Sequence, residues 1–170
     1  MKKLIFVLTI LIINVSVNAQ DKVMKFSKPL HLSFGLDAGA PLGKYSKTSA
    51  FVIGGDLQVG YNITQNFSAT ASAGIDARLN KGGVVNTVYY VPLLAGLKFY
   101  LGSKVYISEQ AGYSPSLTKG VEGVFTNVPG IGFKLGQNSD ILIAYKTLFN
   151  KGTVPDFNTL AFRIAYNFGK

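Results

Sequence analysis

Eleven residues near the end of the chain, Asn158 to Phe168, alternate in size as well as in polarity. Leu160, Phe162, Ile164, Tyr166 and Phe168 fall on one side of an extended backbone, and Thr159, Ala161, Arg163, Ala165 and Asn167 on the other. Period two marks a strand. The size inversion constrains the fold further. In a soluble barrel the bulky side chains fill the inside. Here the bulky face reads as lipid-facing, and the small polar face reads as the lining of a narrow interior.

Seven earlier stretches repeat the arrangement. Strand one is His31 to Gly39, with Leu32, Phe34, Leu36 and Ala38 outward. Strand two is Phe51 to Ile63, strand three Phe67 to Leu79, and strand four Val88 to Leu101, with Pro92 and Gly96 inward. Strands five, six and seven are Val105 to Tyr113, Val124 to Leu135 and Ile141 to Thr147; Asn158 to Phe168 is strand eight. The predicted fold is therefore all-β: an eight-stranded antiparallel up-and-down transmembrane barrel. Eight is the smallest even number such barrels use.

The connections are 11, 3, 8, 3, 10, 5 and 10 residues long. Long and short alternate, as an up-and-down barrel requires when loops gather at one end and tight turns at the other. The short ones carry ordinary hairpin residues, such as Gly102-Ser103-Lys104. Both termini then lie with the short turns, on the periplasmic side. Phe51 and Tyr61 stand ten positions apart, as do Tyr89 and Phe99. At a tilt near 40° that spacing climbs about 25 Å, the height of an apolar belt between two aromatic girdles. Phe67, Phe133, Tyr166 and Phe168 belong to the lower ring, and Tyr113, Phe125 and Tyr145 to the upper.

The start of the chain reads as a secretory signal peptide over residues 1–19. Lys2 and Lys3 precede the apolar run Leu4 to Ile13, and Val17-Asn18-Ala19 forms a small-residue cleavage site. No Cys follows, which excludes a lipid anchor, disulfides and thiolate metal sites. A basic lead-in occupies residues 20–30, and residues 31–170 form the barrel. Apolar residues make up 48% of the chain, yet none of its apolar runs after the leader is long enough for a spanning helix. An exported, apolar chain of this kind crosses a membrane as a closed barrel. The net charge of +9, or +7 without Lys2 and Lys3, points to an anionic membrane surface rather than to nucleic acid.

With this pattern in view, the chain resembles the small outer-membrane β-barrel family abundant in Bacteroidetes and, more distantly, the enterobacterial eight-stranded barrels. Ala19-Gln20, Gly112-Tyr113-Ser114 and Ala165-Tyr166-Asn167-Phe168 carry the resemblance. It implies the fold, an outer-membrane location and handling by the barrel-assembly machinery. It implies little about activity, because the family is functionally mixed. Members commonly finish on the terminal aromatic, whereas this chain continues with Gly169-Lys170.

Candidate functional residues fall into three groups. The inward charges Asp37, Asp56, Asp76, Arg78, Lys98, Lys134, Lys146 and Arg163 read as a salt-bridge network filling the lumen, because an eight-stranded interior is only as wide as its side chains. Inward Tyr90, Tyr100 and Tyr106 pack and hydrogen-bond there. The outer loops present Lys44, Lys47, Lys81, Lys119 and Lys151, which suit lipopolysaccharide phosphates. Glu109 falls on the lipid face by parity. A bulge in strand five that reverses the parity is the favoured reading; a slip of the strand limits and a covering partner barrel are the others.

No catalytic, metal or cofactor site is expected. His31, the single histidine, starts strand one at the short-turn end, away from any Ser and acid that a lipid A acyl-chain enzyme would need outside. Ser116 to Lys119 matches S-x-x-K but lies in a loop without S-D-N or K-T-G. The glycines of Pro129 to Gly132 read as lumen clearance. The expected role is non-enzymatic, structural or interactive, in the cell envelope. A subunit or assembly factor of a larger complex such as a secretion translocon is the alternative, followed by a lipocalin-like carrier and a lipid A enzyme.

Overall fold

The computed structural model describes residues 29–81, 87–150, 152 and 154–168. The proposed signal peptide, most of the lead-in, Lys151 and Gly169-Lys170 lie outside them. Nine strand segments run β1 Leu30–Pro41, β2 Ser49–Asn62, β3 Phe67–Asn80, β4 Val88–Tyr90, β5 Leu93–Tyr100, β6 Val105–Ser114, β7 Val124–Lys134, β8 Ser139–Phe149 and β9 Phe157–Phe168. Segments β4 and β5 are two halves of one stave. Both pair with β3 in a single unbroken register, Tyr90 opposite Asp76 and Leu93 opposite Ala73. The break falls at Val91–Pro92, where proline has no N–H to give the ladder. The carbonyl of Pro92 still accepts from Gly74 N at 3.1 Å, and Val91 N donates to Pro115 O at 2.9 Å. Eight staves result, every neighbouring pair antiparallel, and β1 pairs with both β2 and β9 to close the barrel.

The stagger is set by the register. Ladder partners followed around the barrel run Leu32, Val59, Ala71, Ala95, Ala111, Asn127, Thr147, Asn158. The carbonyl of Asn158 then accepts from the N–H of Leu42, just past the end of β1 and ten residues beyond the starting Leu32. Eight staves closing with a ten-residue shear require a strand tilt of about 40° and a backbone radius of about 8 Å. Such a tube has room for side chains and little else.

Connections alternate in length at seven, four, seven, four, nine, four and seven residues. The long ones gather at one end, where the first folds into a short 3-10 helix, Gly43–Lys47. Both ends of the described chain lie at the other. Exposure follows the parity read from sequence: Phe162, Ile164 and Tyr166 keep 48, 49 and 48% of their surface exposed, while the intervening Arg163 and Ala165 keep 8 and 3%. Large residues face outward on every stave, so the molecule wears its apolar surface as a continuous belt. Among the described residues no helix is long and apolar enough to cross a membrane; the spanning surface belongs to the strands.

Pairing assembles the girdles. Phe67 sits opposite Phe99 near the short turns, and Tyr113, Phe125 and Phe149 line up on neighbouring staves near the loops. On β8 the upper ring is held by Phe149. Tyr145, expected there, lies four residues lower, about 10 Å down the belt at this tilt. The cause is a strand that continues two residues past Thr147.

Candidate functional site: the lumen and the loop end

Period two sends every second side chain of each stave into the tube, and the inward set is mixed. An apolar cluster near the loops joins Val52, Val88, Tyr90, Val124, Leu148 and Phe157, with Tyr45 packed on it. A second joins Leu94, Tyr100, Tyr106, Val128, Leu142 and Ala144. Charged groups occupy the level between and around them: the ion pairs Arg163–Asp56 and Lys146–Asp76, with Arg78, Lys98 and Lys134 lying over aromatic rings.

Arg163 on β9 faces Asp37 directly across the β1 ladder, yet it binds Asp56 on β2. Its Nε and an Nη reach the two carboxylate oxygens at 2.7 Å each. The guanidinium crosses β1 over Gly35, where a Cβ would collide with it. A glycine at that position is what lets the arginine reach the next stave. Bidentate geometry suits guanidinium and carboxylate, and pairing offsets the desolvation of both.

Lys146 binds Asp76. The two stand on β8 and β3, which are four staves apart in either direction around the barrel. The ion pair is therefore a strut across the full lumen. Asp37 joins this group around a cavity of about 50 Å³, whose other polar lining includes Ser72 and Gln110. That volume holds a few waters.

Nearer the short turns, the Tyr106 hydroxyl donates to Asp140 at 2.6 Å, and Asn167 donates to the same carboxylate at 2.8 Å. The Tyr106 ring lies over Gly132, which has no side chain to obstruct it. Lys98 stands 5.0 Å from that ring's centre, and Lys134 stands 4.3 Å from the Tyr100 ring; both are cation–π distances. Near the loops, Arg78 lies 4.9 Å from the Phe157 ring and 5.8 Å from Tyr45. Tyr45 in turn donates to Pro155 O at 3.0 Å. These residues stopper the loop end.

All eight inward charges named from sequence thus project into the tube. Two members of the site were missed. Asp140 and Phe157 each lie just before a strand boundary drawn too late, at Ile141 and Asn158. The signal was present: Asp140 shares parity with Leu142, Ala144 and Lys146, and Phe157 shares it with Thr159.

The loop lysines are spread over separate connections at one end. Lys44 and Lys47 ride the 3-10 helix, and Lys119 lies in the β6–β7 connection. Lys81 donates to Ser46 O at 2.6 Å. His31 packs against Gly60 at the short-turn end. Ser116 is occupied in its loop, donating to Tyr89 O at 3.3 Å. Among the described residues no group of three or more His, Asp or Glu side chains gathers to hold a metal.

Glu109 requires a correction. No bulge reverses β6: its pairings run unbroken through Leu97 opposite Glu109 and Glu109 opposite Pro129. The register shift lies instead at the start of β2, between Ser49 and Phe51. Glu109 is exposed on the outward face between buried Ser108 and Gln110, and Asn127 donates to its carboxylate.

No protein-family model and no curated protein sequence matches the chain. Solved structures do. The outer membrane protein Ail of Yersinia pestis, in a phospholipid nanodisc, aligns at a TM-score of 0.58 and 15% identity, covering 81% of this chain and 99% of that one. The N-terminal β-barrel domain of Pseudomonas aeruginosa OprF aligns at 0.54 and 14%, over 80% and 97%. Neisserial surface protein A aligns at 0.54 and 13%, over 82% and 97%. At such identities the likeness is one of fold, and the fold is that of the small outer-membrane barrels.

Proposed function

We propose that the chain is an integral outer-membrane protein that serves the envelope as a structural or interaction module, without catalysis and without conducting. The observation that carries this reading is the Lys146–Asp76 strut. A pore of this radius cannot keep an ion pair across its diameter and also an open path. The apolar belt favours a bilayer, and the alternating connections favour loops outside with both termini in the periplasm. Lys44, Lys47, Lys81 and Lys119 would then meet lipopolysaccharide phosphates, as would Lys151, and the barrel-assembly machinery would insert the chain. Membership of the Bacteroidetes-type barrels remains part of this proposal, resting on the sequence resemblance.

Purified protein reconstituted in planar bilayers is expected to give no stable conductance. Asp76→Ala combined with Lys146→Ala, which removes the strut, is expected to give brief flickering openings. A steady large conductance from the native protein overturns the filled-lumen reading.

A further inference from the structure

Among the described residues, Glu109 is the one charged side chain that a strand directs onto the apolar belt. Asp37, Asp56, Asp76, Asp140 and the strand lysines and arginines all take inward positions. Glu109 also sits deep. Pro129, directly opposite it on β7, is four residues from Phe125 and four from Phe133, so each girdle is about 10 Å away. Hydrocarbon solvates a carboxylate poorly at that depth. Asn127 supplies a hydrogen bond and no charge.

The surroundings are shaped for an approach. The β7–β8 ladder is interrupted here, between Asn127 opposite Thr147 and Gly130 opposite Ala144. Beside the carboxylate, one ladder row carries only Ala71, Ala95 and Ala111 across three staves. The belt is recessed along that row, while Leu97 stands exposed below it and Ile107 is half-buried.

We propose that this notch docks a membrane-spanning segment of a second protein that presents a lysine or arginine to Glu109. Charge complementarity selects this occupant. A second copy would add another carboxylate and no base, since the belt of this chain carries none among the described residues. A lipid headgroup amine stays at the interface, about 10 Å away. The inference rests on the membrane-spanning reading above.

The test places a photo-crosslinking residue at Ala111 in the full chain and irradiates intact membranes of the producing cell. The expected product is a protein adduct whose crosslinked peptide contains a basic residue within an apolar span. Its yield should fall about tenfold with Glu109→Gln, the scale of a lost charge-assisted hydrogen bond, and persist with Glu109→Asp. Heat-modifiable gel migration checks that each variant is folded. Adducts with lipid alone, with a second copy, or with a protein whose yield ignores Glu109→Gln overturn the docking proposal and leave the membrane reading standing. Labelling of soluble proteins without lipid overturns the membrane reading itself.

Discussion

Arg163 reaches Asp56 only because Gly35 keeps the path clear, so the glycine is part of the ion pair. Gly35→Val should push the guanidinium off its carboxylate and cost about 3–5 kcal/mol, the loss expected when a buried pair is broken. Denaturant titration in lipid vesicles measures it, and the same change in an Arg163→Ala background should cost a small fraction of that. Tyr106→Phe removes the hydroxyl that donates to Asp140 and should cost about 1–3 kcal/mol in the same assay. These side chains were legible in sequence as inward charges and rings, because parity alone decides inward or outward. Their pairing was not legible. Arg163 had Asp37, Asp56 and Asp76 as candidates, and the choice depended on a stagger that no local pattern encodes. Asp140 was lost to a boundary two residues late, at Ile141 rather than Ser139, where turn and strand compositions overlap.

At the scale of single staves, alternation was strong enough to place all eight and to carry the register through Pro92, although proline splits β4 from β5. It was weakest at strand ends, and Phe149 on β8 was missed for that reason. A bulge in strand five was expected because a carboxylate on the belt looked too costly. The backbone keeps its parity, and a hydrogen bond from Asn127 moderates the cost instead. The belt itself is testable by depth. Phe162→Arg, six residues above Phe168 on β9, should destabilise by about 2–4 kcal/mol in vesicles, whereas Phe168→Arg at the rim should cost about 0–1 kcal/mol. Equal costs at the two heights would mean that the outer face of β9 does not cross a bilayer.

At the scale of the whole molecule, closure and shear are joint properties of eight staves. Fold class followed from repetition of one pattern, and the ten-residue stagger followed only from the pairings. With no native cysteine to interfere, the seam can be probed directly. Ala38→Cys with Phe162→Cys, opposed across β1 and β9, should form a disulfide within one chain. Ala38→Cys with Leu160→Cys, two positions out of register, should form it far more slowly. The filled lumen also bears on how many copies a cell can carry. Each open porin is a hole in the permeability barrier, so its abundance trades uptake against exposure to toxic solutes. A barrel braced from wall to wall adds membrane area and an outer surface without adding a leak. On the docking proposed above, its abundance is limited by demand for the docked segment rather than by what would pass through it.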